Sequence, residues 1–495
     1  MGKVTQLFFA VILAVLMLCL AGCSAQDTTP PNETVYRYSL SASTAQELAV
    51  LNEYPNLTEV DLRGSSCYAD ILAYIQSHPS VAVVYDVQLG QTRYEHTTTE
   101  LTLEDGAVSY EELKTNLVFL PDLQRIQLPK TTLTIEQITE LQQLVPNVKL
   151  SYTVVILDKE FPHDTTELDL SSISAAQIEQ IAPGLRMLPD LETIWLMTAD
   201  GSSALTPVDV KKIMDAVPGV VMEYEFDLFG KRVSTTDETV EFVQQYIGNE
   251  GEEEIRQALD IMPACTYFKA DRCGIDTEVM ASLREDYPNT KIVWRIFFGK
   301  FNCLVDEEML RLTNGLTDDI VDDLKYCNDV KYLDIGHDDE LTDISFIRYM
   351  PKLEIAILSG SIVSDLTPFQ DHQNIEFLEL CFCSQIKDIS PLANCPNLKF
   401  LNISFTGVKD ISATDNLPME RFVAMGLKLD YASQSKFLEL HPESLYRFEG
   451  QQCYGYAWRY DDYGYTFSDY YANMRVIFNY EDVGYYSGRG IYNTY

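Results

Sequence analysis

Six histidines (His78, His96, His163, His337, His372 and His441) and eleven cysteines are the residues of this chain best suited to metal or nucleophilic chemistry. No two histidines stand at a metal-ligand spacing, and H-E-x-x-H does not occur. The cysteines (Cys19, Cys23, Cys67, Cys265, Cys273, Cys303, Cys327, Cys381, Cys383, Cys395 and Cys453) form no C-x-x-C pair, which removes the usual zinc and dithiol motifs. G-x-S-x-G, Walker and G-x-G-x-x-G sequences are also absent, and Gly488-Arg489-Gly490 is too short for a phosphate loop. Carboxylate pairs abound, but with 75 acidic residues against 36 basic ones a pair says little about glycosidic chemistry. Asp318, Asp319, Asp322 and Asp323, and the run Glu250, Glu252, Glu253 and Glu254, could gather Ca²⁺ weakly. Neither has the alternating loop of a dedicated calcium site, and solvated faces are the better reading. The expectation is a protein without catalytic residues, metal or cofactor.

Charge narrows the partners. The formal net charge of −39 argues against nucleic acid and against peripheral attachment to anionic lipid. Apolar residues at 46% and aromatics at 11% argue against disorder, so the acid excess reads as the solubility of an exposed protein. Cys23 is the exception among the cysteines. Lys3, an apolar run from Leu7 to Leu20 and then Ala21-Gly22-Cys23 describe a secretory signal peptide over residues 1–22, too short to span a bilayer. The Leu20-Ala21-Gly22-Cys23 ending resembles the bacterial lipobox. That resemblance implies a diacylglyceryl-modified Cys23 as the first mature residue, held at the extracytoplasmic face of the cell membrane. Ser24 to Thr34 is polar with a Pro-Pro step, giving residues 23–35 the character of a tether that reaches at most ~36 Å.

The elements that must position any site are repeats. From Val330 to Pro418 four segments align almost without gaps: DVKYLDIGHDDELTDISFIRYMP, KLEIAILSGSIVSDLTPFQDHQ, NIEFLELCFCSQIKDISPLANCP and NLKFLNISFTGVKDISATDNLP. Their apolar triplets are Val330, Leu333 and Ile335; Leu353, Ala356 and Leu358; Ile375, Leu378 and Leu380; Leu398, Leu401 and Ile403. A further aliphatic follows each (Leu341, Val363, Ile386, Val408), then a D-I-S or D-L-T turn at Asp343, Asp365, Asp388 and Asp410. This pattern resembles the leucine-rich repeat of bacterial surface proteins, the internalin type. The resemblance implies an α/β solenoid with a long parallel sheet over residues 329–430, and adhesion or recognition as its use. One such row cannot bury its own apolar face, whereas stacked rows share a core.

A longer and looser repeat fills residues 36–328. Its anchors are Y-P-N-L-T-E-V-D-L at Tyr54, L-P-D-L-Q-R-I-Q-L at Leu120, L-P-D-L-E-T-I-W-L at Leu188 and a degenerate M-P-A-C-T-Y-F at Met262. Helical patterns such as IEQITELQQLVP come next, then β-rich runs such as VKLSYTVVIL, then T-T-E-L-D-L-type strands. Each cassette reads as strand–helix–strand–strand–helix. Residues 431–495 are crowded with tyrosine and glycine, and read either as a cap for the open end of the solenoid or as an aromatic surface for a glycan.

Strand alternation places one candidate site. Tyr332, Ile355, Phe377 and Phe400 form an outward column, with Asp334, Ile357, Glu379 and Asn402 beside it. Aromatic side chains ranked in this way are typical partner anchors, so Tyr332, Asp334, Ile355, Phe377, Glu379, Phe400 and Asn402 are the expected binding residues on the concave face. In the alternative the tail folds back over them and they become core. Trp195 is a weaker candidate of the same kind. The function expected is a non-catalytic surface lipoprotein that binds a protein partner, with glycan or cell-wall binding by the tail as the rival.

Overall fold

The computed structural model describes residues 35–462 and 466–480. The expected signal peptide, the expected lipidation site Cys23 and all of the expected tether except Val35 therefore lie outside the described residues. The chain divides into two compact units, one built on residues up to Asp169 with 174–194 and 215–220, the other on 170–173, 195–214 and everything from Val221 onward.

In the first unit the loose repeat is regular. Parallel strands Arg37–Ser39, Glu59–Asp61 and Ala82–Val84 form one sheet, and Glu100–Thr102, Arg125–Leu128 and Lys149–Ile156 another. Helices Tyr68–Ser77, Tyr110–Asn116 and Ile135–Leu144 bury Ile71, Leu113, Ile138 and Leu141. The cassette order is the one expected, with one addition: the third parallel strand runs on and returns as an antiparallel hairpin. Asp86–Leu89 pairs with Thr92–Glu95, and Lys149–Ile156 pairs with Lys159–Pro162. The second unit repeats this in Glu225–Leu228 with Lys231–Ser234 and in Lys291–Phe298 with Phe301–Leu304.

The four returns are two-residue turns. Leu157 and Asp158 (φ 48° and 63°) and Phe229 and Gly230 (53° and 83°) have both central residues left-handed, while Gly90 and Gly299 supply that conformation at the first position. These are the turn geometries that match strand twist. Buried tyrosines tie the hairpins down. Tyr85 stacks on His96 and donates to the Phe119 carbonyl at 2.9 Å; Tyr152 packs on His163 and donates to the Met187 carbonyl at 2.8 Å.

In the second unit, strands Met309–Arg311, Tyr332–Asp334, Ile355–Ile357, Phe377–Glu379, Phe400–Asn402, Arg421–Val423 and Leu445–Arg447 form one seven-stranded parallel sheet. Leu333, Ala356, Leu378, Leu401 and Phe422 point inward and are fully buried, as are Ile335, Leu358, Leu380 and Ile403. The D-I-S and D-L-T turns act as caps. Asp343, Asp365, Asp388 and Asp410 each accept the backbone N–H two residues on at 2.8 Å, where a short 3-10 helix begins. After each of the first six strands the chain leaves the sheet through a left-handed residue: Asn314, His337, Gly360, Phe382, Phe405 and Gly426, with φ between 60° and 76°. This turn keeps the ladder going one step further, since Gly360, Phe382 and Phe405 donate to the Cys381, Ser404 and Met425 carbonyls of the next row. In non-glycine residues that conformation costs about 1–2 kcal/mol, which the continued ladder offsets.

Asp338 joins two of these rows. One carboxylate oxygen accepts the N–H groups of Gly315 and Leu316, the other is buried without a partner, and burial pushes the group up to about 6. The folded chain thus holds this proton more tightly than the unfolded one, whose carboxyl titrates near ~4. Stability from Asp338 is then gained as pH falls through about 6 and lost as pH rises through it. Thermal unfolding should show a higher Tm at pH 5 than at pH 7.5. Asp338→Asn, which keeps the accepting oxygen, should raise Tm at pH 7.5 and reduce that difference.

Candidate functional site

The strand register puts the outward columns in the order expected. Tyr332 pairs with Ile355, Ile355 with Phe377 and Phe377 with Phe400, and beside them run Asp334, Ile357, Glu379 and Asn402. Arg311 precedes the second column, and Arg421 follows the first. The strands are only three residues long, so each row contributes two outward side chains from the strand itself. Phe382 and Phe405, at the left-handed positions just beyond, stack at 4.8 Å with their planes 8° apart.

What the sequence left open is the cover. Residues 453–462 and the helix Asp469–Ile477 lie on this outward face. Trp458 packs on Phe377 with ring centroids 4.8 Å apart, and Tyr470 packs on Phe400 at 4.7 Å. Cys453, Trp458, Tyr471, Met474 and Phe478 form one buried cluster with Ile357, Phe377, Cys381, Val423 and Met425. The polar column is matched row by row. Tyr480 donates to Asp334 Oδ2 at 2.8 Å, Trp458 Nε1 donates to Glu379 Oε2, and Asn402 Nδ2 donates to the Cys453 carbonyl at 3.1 Å. Ser359 adds a bond to Glu379 Oε1 at 2.8 Å, and Arg459 stands 3.8 Å from the same oxygen.

Three arginines complete the fit. Arg311 lies 4.8 Å from the Tyr480 ring centre and donates to the Phe478 carbonyl at 3.4 Å. Arg421 lies over Tyr470 and pairs with Asp461, and Arg459 lies over Tyr454 and Tyr471. Planar guanidinium groups suit this role because one face meets an aromatic ring while the edge still donates. Burial raises the Asp334 carboxyl and the Tyr480 and Tyr470 hydroxyls above their ordinary ranges, so at neutral pH the two tyrosines remain hydrogen-bond donors.

The open aromatic column expected from the sequence is therefore corrected. Asp334, Phe377, Glu379 and Asn402 are buried, and Tyr332, Ile355 and Phe400 are half-buried. The physical reason is that a rank of bare aromatic rings is costly in water, and the C-terminal segment supplies both the apolar cover and one polar partner for each charged or amide side chain. Trp195 stays 44% exposed, as its outward position suggested. The acidic groups have local roles: Asp318 accepts from Thr342 and Asp343, and Glu252 pairs with Arg256 one helical turn on. Among the described residues no group of three or more His, Cys, Asp or Glu is arranged to hold a metal ion.

Because Phe377 is a core residue in this arrangement, Phe377→Ala should cost about 3–5 kcal/mol in urea unfolding. An exposed anchor would lose under ~1 kcal/mol. A change of that smaller size would show that the cover does not form in solution.

Comparison with known proteins places these rows. No curated protein matches the chain in sequence. Among solved structures it is similar to an internalin (inlF) of Listeria monocytogenes at 16% identity, covering 70% of this chain and 85% of that one with a TM-score of 0.27. It is also similar to a leucine-rich-repeat protein of Leptospira interrogans, at 13% identity over 85% and 97% of the two chains with a TM-score of 0.24. A third likeness, to internalin C2 of Listeria monocytogenes, has 22% identity over 28% and 69% with a TM-score of 0.22. Superpositions this loose carry no functional argument. The family model described as "Leucine Rich repeats (2 copies)" matches residues 373–418, so the strands Phe377–Glu379 and Phe400–Asn402 belong to leucine-rich repeats.

Proposed function

We propose that this chain is a non-catalytic surface lipoprotein that recognises another protein through the outward faces of its repeat sheets. The observation that carries this reading is the way the outward face of the second unit holds the C-terminal segment: aromatic anchors in one column, and in the next Asp334 and Glu379 each accepting a hydrogen bond from the segment and Asn402 donating one to it. A surface made in this way is chemically suited to gripping a polypeptide, with central aromatic anchors and a polar surround. The segment that fills it here is part of the same chain, and a partner would meet Tyr332, Ile355 and Phe400 at its margin or replace it.

Other apolar side chains face outward without cover from the same segment. Trp195 is 44% exposed, Val243 52% and Phe297 47%, each on the solvent side of its strand. Glycan binding by the tail has less support, because the rings of Trp458 and Tyr454 pack on Phe377 and Phe382, and those of Tyr470 and Tyr480 lie under Arg421 and Arg311 of the sheet.

Two experiments test the proposal. The mature protein, residues 23–495, should bind a protein component of cell-surface fractions saturably and in the presence of salt, and Trp195→Ala should weaken that binding by about tenfold or more while leaving Tm unchanged. Binding that is absent, or that protease treatment of the fraction does not abolish, would overturn protein recognition. Cys23→Ala should move the protein from the membrane pellet to the soluble fraction. Retention in the pellet would remove the lipid anchor from the reading.

A further inference from the structure

The C-terminal cover meets the sheet at two thiols. Cys381 stands on the outward side just after strand Phe377–Glu379, and Cys453 begins the segment that crosses it. Both are buried, at 0% and 1% exposure, in the same apolar cluster, and the residues that follow them, Phe382 and Tyr454, pack with ring centroids 5.9 Å apart. The surroundings hold them in place. Ser359 Oγ lies 3.0 Å from Cys381 Sγ, and Asn402 fixes the Cys453 carbonyl at 3.1 Å. The remaining thiols of these rows have packing roles of their own: Cys383 Sγ donates to the Leu358 carbonyl and Cys395 Sγ to the Phe369 carbonyl.

We infer that Cys381 and Cys453 are a disulfide-forming pair, a covalent latch that fastens the C-terminal segment onto the outward face of the repeats. Disulfide formation needs two thiols whose Cβ atoms can approach to ~4 Å, and thiols buried in one cluster, on stretches of chain that already pack together, are placed for that approach. The bond closes a loop between residues 381 and 453 that spans the last rows of the sheet and the start of the cover. Reduced, the segment is held by packing and hydrogen bonds alone; oxidised, its start is fixed to the sheet and the rest can open only as a tethered arm, which favours the docked position.

The chemistry is thiol–disulfide exchange with an external disulfide of the glutathione class. The thiolate of Cys453 attacks one sulfur of that disulfide, forming a mixed disulfide and expelling one glutathione thiolate. The thiolate of Cys381 then displaces the second glutathione and forms the Cys381–Cys453 bond. The two cysteines give up two electrons to the external disulfide, and their two protons end on the two glutathione thiols. Since both sulfurs are buried when the segment is docked, the exchange begins from its open position and closure completes it.

The test uses the mature protein equilibrated in glutathione disulfide or in a reducing phosphine, digested without reduction and examined by mass spectrometry, with hydrogen exchange measured on residues 469–477. The expected result is a peptide linked through Cys381 and Cys453 in the oxidised sample only, together with amide exchange in Asp469–Ile477 slowed at least about tenfold. Cys453→Ala should remove both effects, and if that variant does not fold, the oxidised and reduced wild-type samples carry the comparison. Free, alkylatable Cys381 and Cys453 after refolding in glutathione disulfide would overturn the pairing. A linked peptide with unchanged exchange would overturn the latch. The inference rests on the proposed recognition role only for its use: a linked peptide in a protein that binds no partner would count against that role and leave the latch standing.

Discussion

A row of the repeat sheet has no inside of its own. Three strand residues and a short 3-10 turn expose more apolar surface than they can hide, and only the row above and the row below supply the missing neighbours. Leu333, Ala356, Leu378, Leu401 and Phe422 are fully buried because they are stacked, not because any one row encloses them. Most of the architecture of the second unit answers that constraint. The aspartate caps close each row at fixed length, the left-handed residue turns the chain off the sheet, and the strand register stays constant from Met309 to Arg447.

The same constraint acts on the outward face once aromatic residues are placed there. Phe377 and Phe400 cannot be covered by their own rows, and the C-terminal segment covers them. Its chemistry complements the columns in two ways. Apolar rings meet the first column, and single hydrogen bonds meet Asp334, Glu379 and Asn402 in the second. A carboxylate buried under apolar cover without such a donor would cost several kcal/mol, so the segment must be in register for the cover to be favourable at all. Packing alone would tolerate sliding; the polar column does not.

The longer cassettes meet the constraint differently. Each adds a hairpin that turns back from the third strand; in three of the four a buried tyrosine at its root donates across to a carbonyl, Tyr85 to Phe119, Tyr152 to Met187 and Tyr224 to Leu205, and in the fourth the buried Trp294 takes that place. A hairpin of four-residue strands is marginal by itself, and the tyrosine anchors it to a part of the chain that is already packed. The hairpins leave Val155 and Phe297 facing water.

Much of this was legible in the chain before any coordinates. Four rows with apolar residues at matching positions determine which side chains point inward, because the alternation of a strand and the length of a row are local properties. The same alternation determined that Tyr332, Ile355, Phe377 and Phe400 share a column. The hairpin turns were present in principle as Phe229-Gly230 and Gly299-Lys300, but their flanking strands read as continuous with the run before them. The cover was not legible. Trp458 reaches Glu379 across 79 residues of sequence and Tyr480 reaches Asp334 across 146, and no local periodicity records a pairing of that range. Sequence decided which face each side chain would take; only the tertiary structure decided which of those faces water would touch, because that depends on where a distant and non-repeating segment finds its complement.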